Sequence, residues 1–154
     1  MKYSFLLLLF LICGCNNKSV KTAEKDFDKD VEALYIIVMA KHDEVMPKIK
    51  NIRNLQLILR VDLENNSDES KSSEKKEYVF KLISKLQKGD DAMFEWMTNF
   101  KNKHLNSEFY ANSKKEIILK YLKEEESKID NVAMLMLESI NEAEVYLKKA
   151  PKPQ

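Results

Sequence analysis

The sequence predicts an all-α protein, an elongated antiparallel bundle of three helices, and three observations lead there. Two glycines and three prolines in 154 residues leave little material for tight hairpins and sharp strand turns. Lys, Glu, Leu, Ile and Met are abundant, and all sit comfortably in helices. Along three long segments the apolar residues recur at spacings of three, four and seven.

The first segment runs from about Thr22 to Glu64, with Val31, Leu34, Val38, Val45, Ile49, Ile52, Leu55 and Leu59 on one stripe. Thr22 suits an N-cap, and Glu24, Asp26 and Asp28 put negative charge at the positive end of the helix dipole. Pro47 deprives the Asp43 carbonyl of its donor, so a kink is expected there. The apolar phase continues past it, which favours one kinked helix over two. The stretch 64–74, "ENNSDESKSSE", has no apolar residue and reads as a linker,.

A second helix is expected from about Ser73 to Lys103, on the stripe Val79, Leu82, Leu86, Gly89, Met93, Trp96 or Met97, and Phe100. Gly89 either ends a helix or lets another approach closely, and the unbroken period favours a continuous helix. A break at Pro47 or Gly89 would give four helices without changing the class. After the connection 104–112, "HLNSEFYAN", Ser113 and Glu116 form a capping-box pattern. They open a third helix to about Lys149, with Ile118, Leu122, Ile129, Val132, Met136, Ile140, Ala143 and Leu147 on one face.

The front of the chain carries an address. Lys2 precedes an apolar run from Phe5 to Cys13, long enough for an export signal and too short to span a bilayer. Leu11-Ile12-Cys13-Gly14-Cys15 resembles a bacterial lipobox. The resemblance implies diacylation of the Cys15 sulfur, cleavage after Gly14 and acylation of the new amino group. A redox or metal role for Cys13 and Cys15 is disfavoured, because C-G-C is one residue short of C-x-x-C and no other cysteine exists,. The expected organisation is a signal peptide at 1–14, lipidated Cys15 with a tether to residue 21, a bundle domain at 22–149 and a tail at 150–154. Acyl chains at Cys15 would hold the protein on a membrane. Asn16, standing where some sorting rules read Asp, points by resemblance to the outer membrane, facing the periplasm.

Removing Lys2 with the signal leaves 25 basic residues against 25 acidic ones. So even a balance gives no large electrostatic attraction for a nucleic-acid backbone. Nor does it give a basic face for anionic lipid.

One local string stands out chemically, "MAKHDEVMPKI" at 39–49. His42 and Met46 share a helix face. Antiparallel pairing about the linker brings them level with "MFEWM" at 93–97, and pairing about residue 108 adds Tyr121, Leu122 and Glu125. Imidazole and thioether ligands suit Cu(I), so His42, Met46, Met93 and Met97 are candidate copper ligands. Against this, methionine commonly fills gaps in helical cores and packs on aromatic rings such as Trp96, and the balance lies with packing. Asp43 and Glu44 are expected to point away from His42, so "HDE" is not read as a relay. Glu-x-x-His di-metal spacing is absent, position 39 being Met and position 101 Lys,. H-E-x-x-H, C-x-x-C-H, phosphate-binding Gly loops and G-x-S-x-G are absent too. No catalytic residue and no cofactor beyond the lipid on Cys15 is expected.

"KHDEVMPKI" together with "AMFEWMTNF" resembles a group of small bacterial lipoproteins with an H-D-E-V-M-P-K segment and a later W-M-x-x-F segment, some labelled "viral A-type inclusion protein". The resemblance implies that His42 to Lys48 and Trp96 to Phe100 mark the family, and it implies no catalytic residues. The expected function is that of a lipid-anchored, non-enzymatic helical module of the cell envelope. It would dock an envelope protein on a bundle face or beside Phe109 and Tyr110, which alternatively close the end of the bundle. Self-association is open to it, and periplasmic copper binding is the competing function.

Overall fold

The computed structural model describes residues 29–65 and 73–149. Cys15, Thr22 with its acidic neighbours, the centre of the linker and the 150–154 tail lie outside them. The described residues form an all-α bundle: α1 Lys29–Val45, a 3₁₀ turn Met46–Lys48, α2 Ile49–Asn65, α3 Ser73–Asn99, α4 Ser107–Asn112 and α5 Lys115–Lys149.

Pro47 explains the break between α1 and α2. It has no N–H for the Asp43 carbonyl, and the chain tightens into one 3₁₀ turn, closed where the Ile49 N–H donates to the Met46 carbonyl. Val45 and Ile49 both keep right-handed helical angles, so the two helices make one kinked rod, as the continuous apolar phase implied. Gly89 does not break α3. It is buried within the helix, where a Cβ would stand 3.2 Å from the Met136 Cα and 3.3 Å from its Cγ. The glycine therefore serves close approach of α3 and α5, the second of the two roles the sequence allowed.

The three rods run up, down and up. Arg53 of α2 meets Asp90 of α3 through two hydrogen bonds, of 3.1 and 3.3 Å, and Gln56 meets Gln87, which fixes these neighbours antiparallel. Lys85 of α3 holds Glu142 of α5, again antiparallel. The first and third rods are parallel: Asp30 pairs with Lys115 at 2.6 Å, and Lys41 bridges Glu126 and Asp130 at 2.9 and 2.8 Å. α1 packs chiefly on α5, whereas α2 packs chiefly on α3. One core cluster collects Val38, Ile52, Leu59, Leu86, Met93, Leu122, Ile129 and Met136 from all three rods, each fully buried. Each such apolar side chain stabilises the fold by about 1.5–3 kcal/mol.

Four details differ from the sequence expectation. Tyr35, 7% exposed, takes the core position assigned to Leu34, which sits at the flank. α3 stops at Asn99, and the connection that follows contains α4. Ser113 does not cap α5: the Lys114 carbonyl accepts from Ile117 and Ile118, and the Ser113 N–H donates to Phe109. Ser113 thus closes α4 and stands one residue too early for a capping box.

Candidate functional site

The layer expected around His42 is partly assembled, at the end of the bundle where α3 turns into α4. His42 lies flat on Trp96, ring centroids 5.4 Å apart and planes inclined by 25°. Trp96 also stacks on Phe100 at 4.7 Å. Phe100 in turn meets Tyr35 and Tyr121, and Tyr121 and Tyr110 each meet Phe109 edge-on. Seven rings from α1, α3, α4 and α5 therefore form one continuous cluster. Offset and edge-on pairs of this kind stabilise by about 0.5–1.5 kcal/mol each beyond burial.

Two phenols tie down the turn after α3. The Tyr110 hydroxyl donates to the Lys101 carbonyl at 2.6 Å, and the Lys101 N–H donates to the Tyr121 oxygen. The Lys101 ammonium lies over Phe109, 4.2 Å from its centre, and Lys103 lies over Tyr35 while pairing with Glu32. Tyr110 is 2% exposed and Phe109 is partly buried. Both therefore pack into this end of the bundle.

His42 departs from expectation in its partner. Its Nδ1 is 2.8 Å from the Asp43 carboxylate, so Asp43 turns back along the helix surface where the sequence reading had it pointing away. The His42 side chain is 15% exposed and that of Asp43 72%. The pair lies at the rim of the ring cluster, open to water on the carboxylate side. The Trp96 indole N–H is buried without a hydrogen-bond partner, an arrangement native proteins seldom keep. Glu125 is the buried carboxylate of the layer, 3% exposed. Lys128 holds it at 2.7 Å, and its charge reaches Tyr110 and Tyr121.

The methionines separate. Met93 is fully buried in the core, Met97 packs at its edge, and Met46 is 39% exposed on the 3₁₀ turn. Among the described residues, no three His, Cys, Asp or Glu side chains come together where a metal ion would fit. An open groove beside Glu116, Leu119, Lys120, Lys123, Glu124 and Ser127 is made by one face of α5 alone, so no second element brings chemistry to it.

Sequence reading missed Tyr35 and Lys101 as parts of this cluster. Tyr35 carried a signal, since its spacing from Val31 and Val38 fits the core phase as well as that of Leu34. Lys101 carried none, because its place over Phe109 and Tyr121 depends on how the chain leaves α3. No family model, curated protein or solved structure matches the chain.

The phenols predict an alkaline limit to stability. Burial pushes the Tyr110 hydroxyl above its ordinary value, aided by the charges of Tyr121, Tyr35 and Glu125. Burial also pushes Tyr121 up to about 12, against the opposing N–H of Lys101. Tyr146 is raised by burial and by its hydrogen bond to Asp62. These groups hold their protons more tightly folded than unfolded. Their stabilisation is therefore complete below about pH 10 and declines as pH rises through the folded values. Melting temperature followed by circular dichroism should show no tyrosine-linked fall up to about pH 10, then drop progressively toward about pH 12.

Proposed function

We propose that this protein is a lipid-anchored bundle of the bacterial cell envelope that acts by binding and performs no catalysis. The observation that carries this reading is the Leu11–Cys15 lipobox at the end of the apolar run. It is supported by the described helices, none of which is long and apolar enough to cross a membrane. A membrane address would then rest on acyl chains, each buried methylene contributing about 0.8 kcal/mol. The described residues lend support to the binding class. They hold His42 and the buried Glu125 carboxylate in packing or pairing contacts and keep Met93 inside the core. A copper site built from His42, Met46, Met93 and Met97 would have to draw Met93 out of that core.

Metabolic labelling with a radioactive or clickable palmitate analogue tests the address. The wild-type protein should carry label and sediment with membranes. Cys15→Ser should lose the label and at least about tenfold of the membrane-bound fraction, as expected when the chains that supply the binding energy are removed. An unlabelled wild-type protein would overturn the reading.

A further inference from the structure

We propose that the outer face of α1 is a homodimer interface, on which two copies pair antiparallel about a twofold axis between Ile36 and Ile37. The reason begins with composition. Residues 33–40, "ALYIIVMA", contain no charged side chain, and the tyrosine is turned inward. Tyr35 and Val38 face the core, and Leu34 and Met39 pack beside it. Ala33, Ile36, Ile37 and Ala40 are left on the outside, with Ile36 56% and Ile37 45% exposed. A helix that is apolar on both sides normally has both sides covered, and α5 covers only one.

The outer stripe reads Lys29, Ala33, Ile36, Ile37, Ala40, Glu44, all exposed. Its spacings of four, three, one, three and four are the same in either direction. A second copy laid antiparallel over it places Ala33 against Ala40, Ile36 against Ile37 and Lys29 against Glu44. The alanines let the two backbones approach, the isoleucines fill the centre, and the ends carry opposite charges. A parallel arrangement would instead set Lys29 beside Lys29 and Glu44 beside Glu44. Among the described residues, neither Lys29 nor Glu44 has an ion-pair partner. Such matching of a patch to its own reverse is what a twofold interface requires. It also favours a second copy over an anionic lipid surface, which Glu44 at the end of the stripe and the exposed Asp43 beside it would repel,. The stripe spans about 22 Å of helix, a small contact, so association is expected at about micromolar concentration.

Sedimentation equilibrium of the intact protein in a density-matched non-ionic detergent tests this, with circular dichroism confirming that each variant is folded. The wild type should show a reversible monomer–dimer equilibrium. Ile36→Glu, which buries a charge at the axis, should weaken the dimer roughly a hundredfold. Lys29→Glu should weaken it roughly tenfold, since both ends become repulsive, and adding Glu44→Lys should restore wild-type affinity. Three results would overturn the proposal. The wild type could remain monomeric throughout, leaving the face to the chain's own N-terminal segment, a lipid surface or another protein. A dimer could be indifferent to Ile36→Glu, or the double charge reversal could fail to restore what the single one removed.

Discussion

Gly89→Leu is expected to destabilise the protein by about 3 kcal/mol, measured as a lower urea midpoint. The Cβ of any residue at this position meets the Met136 Cα at 3.2 Å, and backbone cannot swing aside as a side chain can. The γ and δ carbons of leucine would be driven further between α3 and α5, which pack closely along their length. Gly89→Ala should be near neutral, because about 1 kcal/mol of gained helix propensity offsets the tight contact. Shortening the neighbour with Met136→Ala removes the Cγ at 3.3 Å but leaves the Cα in place. The double variant with Gly89→Leu should therefore stay well below the stability of Met136→Ala alone. Full rescue would mean that the contact is side chain to side chain and that the helices are held apart by something else.

Trp96→Ala should lose about 4 kcal/mol, in the range for deleting a large buried aromatic. Trp96 stacks on both His42 and Phe100 and is 6% exposed, so its removal leaves a gap between α1 and α3 and takes from His42 its one ring contact among the described residues. Trp96→Phe should cost only about 1 kcal/mol. It keeps a flat ring in the stack and removes an N–H that is buried without an acceptor, whose desolvation counts against the native state. Urea unfolding followed by circular dichroism separates the two. A phenylalanine variant as unstable as the alanine one would show that the indole N–H is satisfied in solution, by water for instance.

The fold was legible because it rests on periodicity. The apolar stripes placed three rods and their order, and the continuous phase across Pro47 correctly implied a kinked rod. Gly89 on the stripe correctly raised close approach of a neighbour. The errors fall where local geometry competes with spacing. Leu34 and Tyr35 are adjacent, and a period of 3.6 residues does not say which turns inward. Ser113 and Glu116 have capping-box spacing, but α4 occupies the preceding residues and takes Ser113 as its own end. Antiparallel pairing placed His42 level with Trp96, and the two rings do stack. What spacing could not give was burial: Met46 and Met93, treated alike in the sequence, lie on opposite sides of the boundary between water and core. The Asp43 contact with His42 was hidden for a similar reason, since a short carboxylate can turn back on its own helix whatever its position on the wheel.

The 3₁₀ turn at Met46–Lys48 divides the first rod into halves whose partners lie at different distances along the chain. α2 finds its partners nearby, Arg53 and Asp90 being 37 residues apart, so that hairpin closes over a short loop. Lys41 and Asp130 are 89 residues apart, and α1 finds its main partner only once α5 is in place. Loop closure therefore favours pairing of α2 with α3 before α1 docks on α5. On that order α1 is expected to open at a lower free energy than α2. Pro47 has already removed a hydrogen bond that would otherwise transmit its departure to α2. The 3₁₀ turn is then the expected boundary of local opening, with α1 loosening before α2 although both belong to one kinked rod,.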